Sequence, residues 1–176
     1  DKNGVGFMNL AAYLDSKFGW NVNADYNTLV NNYFNAVYGP AAQTMLGYFN
    51  ALRAQFAVIE SNSSFSRMGE TNYVEAEYWP EPLLKQYIAM CDKALAEIEP
   101  LRESGDAMYD IYKEQIVLES IGPRFMLIEF YGLNYHQSEL LEMKTEFKSD
   151  IIDLGITQTA EIYTATVGAL YEKWGV

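Results

Sequence analysis

The sequence DYNTLVNNYFNAVYGPAA, residues 25 to 42, contains the signals that decide the fold. Asp25 stands where a helix N-cap belongs, and an apolar stripe at helical spacing follows it: Tyr26, Leu29, Val30, Tyr33, Phe34 and Val37. Gly39 occupies a position that accepts a left-handed backbone, and Pro40 suits the first turn of a further helix. The stretch therefore predicts two consecutive amphipathic helices, the second ending near Glu60.

Helical spacing extends over most of the remaining chain. It predicts a helix over residues 6 to about 18 closed by Gly19, and a helix from Pro82 to near Pro100. A further helix is capped by Ser104 or Asp106, and an apolar helix follows around residues 125 to 131. The last two predicted helices span residues 138 to 153 and 158 to 174. We expect Pro123 to break or kink its helix. The helix around residues 125 to 131 is apolar nearly all round, which predicts a central position.

Residues 61 to 80 form the longest predicted loop. Turn residues dominate its first half, and residues 72 to 79 alternate enough to predict a short extended piece. No segment alternates like a strand for long. The sequence therefore predicts one all-α domain over residues 1 to 176, a bundle-like packing of six to eight helices with one long irregular loop.

Composition excludes several classes of protein. With 24 acidic and 12 basic residues, the net charge is −12, which disfavours nucleic acid and anionic membrane surfaces as partners. There is no run of 18 apolar residues. One cysteine, Cys91, excludes an internal disulfide and Cys-cluster metal sites, and its place on an apolar stripe predicts a buried, inert thiol. The start at Asp1, without an initiator Met, favours a segment of a longer precursor.

The sequence offers no complete catalytic set, so we predict no catalytic, cofactor-binding or metal-binding residues. His136 is the only imidazole, and it is expected to cap a helix end or lie at the surface. Glu75 and Glu77 form a candidate carboxylate pair for glycoside hydrolysis. Three aromatic residues beside this pair could stack on a sugar ring or pin the loop to the core: Tyr73, Tyr78 and Trp79.

The stretch from Leu14 to Ala42 resembles a motif of a large bacterial family, number 4838 among the domains of unknown function. That motif is a helix ending in a K-x-x-W-[ND]-P-like turn, a D-x-x-x-L-x-x-x-F/Y helix and then Y-Y-G-x-A-A. The matching residues are Lys17, Trp20, Asn21, Asp25, Leu29, Tyr33, Tyr38, Gly39, Ala41 and Ala42. Val22 and Val37 stand where the pattern has Pro and Tyr. In that family the motif follows a catalytic barrel, a plan shared with family 67 α-glucuronidases.

The resemblance implies a non-catalytic accessory domain at the C-terminal end of a larger, glycoside hydrolase-like protein. Its partner would be the upstream barrel, with oligosaccharide as a further ligand, and its location periplasmic, cell-surface or secreted if the parent carries a signal peptide. Trp20 and Tyr38 would contact the barrel or the edge of its sugar site, or Tyr38 would simply cap the bundle. The 14 Tyr and 3 Trp residues also favour a docking surface.

Two alternatives stay open at this point. The chain could be an independent carbohydrate-binding module centred on Tyr73, Tyr78 and Trp79. It could equally be a helical protein-interaction domain unrelated to sugars, if the motif match is accidental.

Overall fold

Helices account for most of residues 7–62, 75–158 and 166–176, which are the residues that the computed structural model describes. They are α1 (Met8–Trp20), α2 (Tyr26–Tyr38), α3 (Ala42–Asn62), α4 (Glu81–Ser104), α5 (Met108–Tyr131), α6 (Gln137–Asp153) and α7 (Val167–Trp174). Short 3₁₀ turns precede α3 and α4 and follow α5. Within these ranges the only β pairing is an isolated bridge between Gln158 and Thr166. The prediction of a single all-α domain is confirmed.

The corner between α2 and α3 has the predicted caps. The Asp25 carboxylate accepts a hydrogen bond from the Thr28 N–H at 2.7 Å. Gly39 has a φ of 51°, and a Cβ atom at this position would lie 2.3 Å from a ring carbon of Tyr112. Only glycine fits this combination of positive φ and close approach. Pro40 lies in a 3₁₀ turn, Gly39–Ala41, which leads into α3.

Two predicted helix ends are wrong. α1 continues through Gly19 and includes Trp20. α4 continues past Pro100 to Ser104 and ends at Gly105, where φ is 73°. Proline at position 100 leaves one helix carbonyl without its N–H partner. That carbonyl belongs to Ala96, an exposed residue, so water can satisfy it and the helix need not stop.

Pro123 does not interrupt its helix, because α5 is continuous from Met108 to Tyr131. The missing N–H of Pro123 frees the carbonyl of Glu119, four residues earlier. The Tyr48 hydroxyl, from α3, donates a hydrogen bond to this carbonyl at 3.2 Å. Of the two predicted outcomes, a break or a kink, the break is therefore wrong, since the side chain of Tyr48 satisfies the freed acceptor.

The apolar core consists of two clusters that share α5. Ile116 and Leu127 belong to the cluster formed with α2, α3 and α4. Leu118, Ile121 and Ile128 belong to the cluster formed with α6 and α7. Both clusters include residues from the apolar segment around residues 125 to 131, so its predicted central position is confirmed.

The segments next to the described gaps differ from the predictions. The predicted loop residues 63 to 74 lie outside the described residues, and Ala76–Tyr78 forms a 3₁₀ turn where an extended piece was expected. Of the predicted last helix, residues 159 to 165 lie outside the described residues, Gln158 is not helical but pairs with Thr166, and Val167–Trp174 forms α7. The Thr166 hydroxyl caps this helix by accepting from the Ala169 N–H at 3.3 Å.

Candidate functional site

The connection between α1 and α2 presents the most exposed large aromatic side chain of the described residues. Trp20 ends α1 with 91% of its surface exposed, and Val22 beside it is also exposed. The turn is compact, because Asn21 accepts hydrogen bonds from the N–H groups of Asn23 and Ala24, each at 3.1 Å. We call residues 20 to 26 the α1–α2 corner.

A cation lies beside the α1–α2 corner. The Arg53 side chain, from α3, donates a hydrogen bond to the Tyr26 hydroxyl at 3.4 Å. Its guanidinium also lies 6.0 Å from the Tyr26 ring centroid and 5.3 Å from that of Phe49. The α1–α2 corner thus begins with an exposed indole, Trp20, and ends at Tyr26, which contacts Arg53; tryptophan and arginine are both enriched at binding hot spots.

Tyr38, for which contact with the barrel or sugar site and a role in capping the bundle were both left open, lies in the core. Only 1% of its surface is exposed, and its ring packs 5.3 Å from Phe34 and 6.4 Å from Phe7, measured between centroids. Burial raises the pKa of Tyr38, and the negative charge of Glu119 raises it further. Tyr38 therefore packs inside the bundle at the helix junction and presents no surface on which a sugar could stack.

The end of the long loop is attached to the bundle through Trp79, which is only 2% exposed. The Trp79 ring meets the Phe56 ring edge-on at 5.5 Å. The Tyr131 hydroxyl donates to the carbonyls of Ala76 and Trp79 at 3.1 Å each, and the Gln55 amide donates to the carbonyl of Tyr78. The burial of Trp79 leaves this ring unavailable to a glycan.

The other described residues of that candidate sugar site are more exposed than Trp79. Tyr78 is half-buried, and Glu75 and Glu77 are exposed around the 3₁₀ turn. Tyr73 lies outside the described residues. Of the four candidate aromatic residues that the structure describes, Tyr38 and Trp79 are buried, so these four do not form one sugar-stacking surface.

Sequence reasoning missed a buried carboxylate, Glu119 of α5, which is only 5% exposed. Both of its oxygens accept from the Phe7 N–H, at 3.0 and 3.2 Å, across 112 residues of sequence. The one sequence signal is its position, a helical step after Ile116 on the apolar stripe of α5. These hydrogen bonds join the residue before α1 to the middle of α5, so they fix where the chain enters α1.

Phe7 is held in an unusual backbone conformation. Its φ of 62° lies in the left-handed region, which costs a non-glycine residue about 1 to 3 kcal/mol. The Phe7 ring is enclosed by Phe34, Tyr48 and Phe49, at centroid distances of 5.7, 5.6 and 5.1 Å. Enclosure of the ring and the Glu119 hydrogen bonds together stabilise the strained residue.

The titratable groups around Glu119 are poor nucleophiles. Burial raises the pKa of Tyr33 to about 12, with Glu119 as the second cause. Burial likewise raises the pKa of Cys91 to about 12. Cys91 is buried, as predicted. A phenol and a thiol with such pKa values stay protonated at neutral pH, so the cluster carries a structural hydrogen bond and not an activated nucleophile.

His136 has the role that its position predicted. It is exposed at the start of α6, and its Nδ1 accepts a hydrogen bond from the Ser138 N–H at 3.3 Å. Within the described ranges, no group of three His, Cys, Asp or Glu side chains is arranged to hold a metal ion. A separate search of the same ranges finds no helix whose length and apolar character would let it cross a membrane.

No family model matches the chain, and neither the curated proteins nor the solved structures contain a significant match to it. The resemblance of residues 14 to 42 therefore depends on the motif residues themselves. The structure places these residues at the end of α1, on the α1–α2 corner, on α2, on the turn Gly39–Ala41 and at the start of α3.

Proposed function

We propose that this chain is a non-catalytic helical accessory domain of a carbohydrate-active protein, and that it docks on an adjoining catalytic barrel through the α1–α2 corner. The observation that supports the proposal is the 91% exposure of Trp20, a residue of the motif that resembles the barrel-associated family. Val22 beside it is 79% exposed, and exposed apolar side chains that lie together indicate an interaction site, whereas scattered single ones do not.

The distribution of the other aromatic residues favours this function over a carbohydrate-binding module. A module centred on the loop needs the Trp79 ring at the surface, and that ring is packed against Phe56. Tyr38 is equally enclosed. Trp20 is the exposed member among those that the structure describes, and Arg53 beside the corner adds a donor suited to carboxylates or to carbonyl groups of a protein surface.

The test begins with the reading frame upstream of Asp1, which should encode alternating strands and helices. The barrel expressed from that frame is titrated with this chain by isothermal calorimetry. We expect Trp20→Ala to weaken binding at least tenfold, because truncation of a hot-spot tryptophan costs about 2 kcal/mol or more. Leu133→Ala is the matched control, because Leu133 is 99% exposed but lies on the turn after α5.

Activity and sugar binding are measured with the same preparations. The chain alone should release no sugar from glucuronylated or hexosamine-bearing oligosaccharides. Turnover by the chain alone, an upstream frame without a barrel, or equal affinity losses in the two variants would contradict the proposal. Glycan binding by the chain alone that Trp20→Ala abolishes would instead indicate a sugar-binding module built on the α1–α2 corner.

A further inference from the structure

We propose that the exposed side of α2 and α3 is part of the docking interface, and that Arg53 pairs there with a carboxylate of the docked domain. The inference rests on the proposed docking through the α1–α2 corner, and it names the chemistry of the partner surface: uncharged, with one Asp or Glu side chain opposite Arg53. We call the exposed residues of α2, with those of α3 as far as Ala54, the neutral face.

The charges of this protein are distributed unevenly along the chain. The net charge is −12, yet the charged residues among positions 16 to 59 are Lys17, Asp25 and Arg53, which sum to +1 and leave −13 for the rest. α2 has no charged residue, and α3 has two, Arg53 and Glu60. By contrast, α4 and α6 have eight and seven. α2 and α3 therefore lack most of the charges that α4 and α6 carry.

Burial does not explain the missing charges of α2. Seven of its thirteen residues are exposed, and four of these are asparagines: Asn27, Asn31, Asn32 and Asn35. On α6, ten of the seventeen residues are exposed, and four of those are acidic. Charged side chains are usual on a solvated surface, whereas interfaces are depleted in Lys, Glu and Asp, because each would lose its water on docking. An exposed helix side without charges is therefore suited to burial against another protein.

The neutral face continues the α1–α2 corner. Tyr26 belongs to both, and the hydrogen bond from Arg53 to the Tyr26 hydroxyl, at 3.4 Å, joins the exposed sides of α2 and α3. A stable interface of standard size uses about 20 to 30 residues on each side, many more than the corner contains. α2 adds thirteen residues, about 20 Å of helix, next to Trp20 and Val22. A partner of that size that covers Trp20 also covers part of the neutral face.

Arg53 differs from the other arginines that the structure describes. Arg102 pairs with Glu99, and Arg124 pairs with Asp150. Among the described residues, Arg53 has no carboxylate partner, although the chain contains twice as many acidic as basic residues. The carboxylate that would complete its pairing is therefore expected on the docked domain.

The Arg53 side chain is already held in position for such a pair. Its guanidinium lies 6.0 Å from the Tyr26 ring centroid and 5.3 Å from that of Phe49. The Tyr26 hydroxyl uses one of its five N–H groups, and the other four have no acceptor among the described residues. Two parallel N–H groups of a guanidinium match the two oxygens of a carboxylate, and a side chain that is already held loses little freedom on binding.

A protein fits this surface better than a glycan does. The exposed side of a helix is convex, whereas sites for small ligands are concave and enclose most of the ligand. Trp20 offers a stacking ring at one end, but the neutral face extends along the thirteen residues of α2. We therefore assign the face to a protein partner.

The test measures binding of the unmodified chain and of four variants to the upstream barrel by isothermal calorimetry. Asn32→Glu places a charge on the neutral face, and Ser149→Glu places the same charge on the exposed side of α6. Arg53→Gln removes the proposed ion pair, and Arg102→Gln makes the same change on α4. We expect Asn32→Glu and Arg53→Gln each to weaken binding about tenfold or more, and both controls to stay within about twofold.

The melting temperatures of the four variants should lie within about 2 °C of that of the unmodified chain, which separates lost binding from lost folding. Binding that is unchanged by either Asn32→Glu or Arg53→Gln would overturn the inference. If Trp20→Ala still weakens binding in that case, the docking proposal itself stands. Absence of binding between the unmodified chain and the barrel would overturn both proposals. Oligosaccharide binding that Asn32→Glu abolishes would overturn the inference in favour of a sugar-binding surface.

Discussion

Replacing Trp174 with alanine should remove the anchor of α7. This indole is buried in the second core cluster, with its ring 5.2 Å from Phe147 and 6.1 Å from Phe125 between centroids. Its Nε1 donates to Glu129 of α5 at 2.6 Å. Truncation of a buried tryptophan costs about 3 to 5 kcal/mol. Since Trp174 belongs to a helix of only eight residues and keeps 7% of its surface exposed, we expect the lower end of this range, about 3 kcal/mol.

The hydrogen bond can be separated from the ring by a second variant, Trp174→Phe, which keeps an aromatic ring but has no N–H donor. A hydrogen bond to a charged group is worth about 1.5 to 3 kcal/mol when buried. Glu129 is partly exposed and also pairs with Lys173, at 2.5 Å, so its carboxylate keeps a partner. We therefore expect Trp174→Phe to cost about 1 kcal/mol.

The assay is urea denaturation followed by far-ultraviolet circular dichroism, with thermal melting as a second measurement. For a chain of this size, about 3 kcal/mol lowers Tm by roughly 6 to 12 °C. Trp20→Ala is the control, because it makes the same chemical change at an exposed position and should stay within about 0.5 kcal/mol of the unmodified chain. Equal costs for Trp174→Ala and Trp20→Ala would refute the assignment of the indole as the α7 anchor.

Three further predictions concern positions of defined geometry. Gly39→Ala should cost about 2 kcal/mol or more in thermal melts, because of its positive φ and the ring 2.3 Å from the new Cβ. Gly105→Ala should cost only about 1 kcal/mol, because its φ is also positive but the new Cβ meets open space. If Gly39→Ala and Gly105→Ala cost the same, the clash with the Tyr112 ring is not the cause. Tyr48→Phe should lower the free energy of unfolding by about 1 to 3 kcal/mol, because the Glu119 carbonyl loses its donor. The loss should be smaller in a Pro123→Ala background, where the N–H of residue 123 can donate to that carbonyl. Additive effects of the two substitutions in a double-mutant cycle would contradict this. Burial raises the pKa of Cys91 to about 12, so its thiol should resist a disulfide reagent at mildly alkaline pH until the chain is unfolded, and rapid labelling of the native protein would be inconsistent with its burial.

Much of the fold follows from local features of the sequence. Helical spacing of apolar residues predicted most helices, because a repeat of 3.6 residues places such side chains on one face wherever the chain lies. The Asp25 and His136 caps and the turn at Gly39 were also predictable, since each depends on atoms within a few residues. The buried Cys91 followed from its place on an apolar stripe.

The surface and the polar interior could not be predicted in the same way. Trp20 and Tyr38 both belong to the motif, yet Trp20 is exposed and Tyr38 is buried. The difference arises because exposure depends on which neighbouring helix covers a residue. The loop aromatic Trp79 is covered by α3 for the same reason. The resemblance at residues 14 to 42 therefore predicts a role for these residues without predicting which of them can reach a partner.

By itself, the sequence determined that the chain is helical, where most helices begin, and which residues are apolar enough to form a core. Tertiary structure alone decided that Pro123 is accommodated and that Glu119 is buried. The physical reason is that a buried polar group needs a partner, and here the partners come from Tyr48 and Phe7, which are 71 and 112 residues distant from Glu119 in sequence. The spacing of apolar residues predicts the secondary structure of a segment, because that structure depends on residues a few positions apart. The hydrogen-bond partners of a buried group depend on which other segment packs beside it.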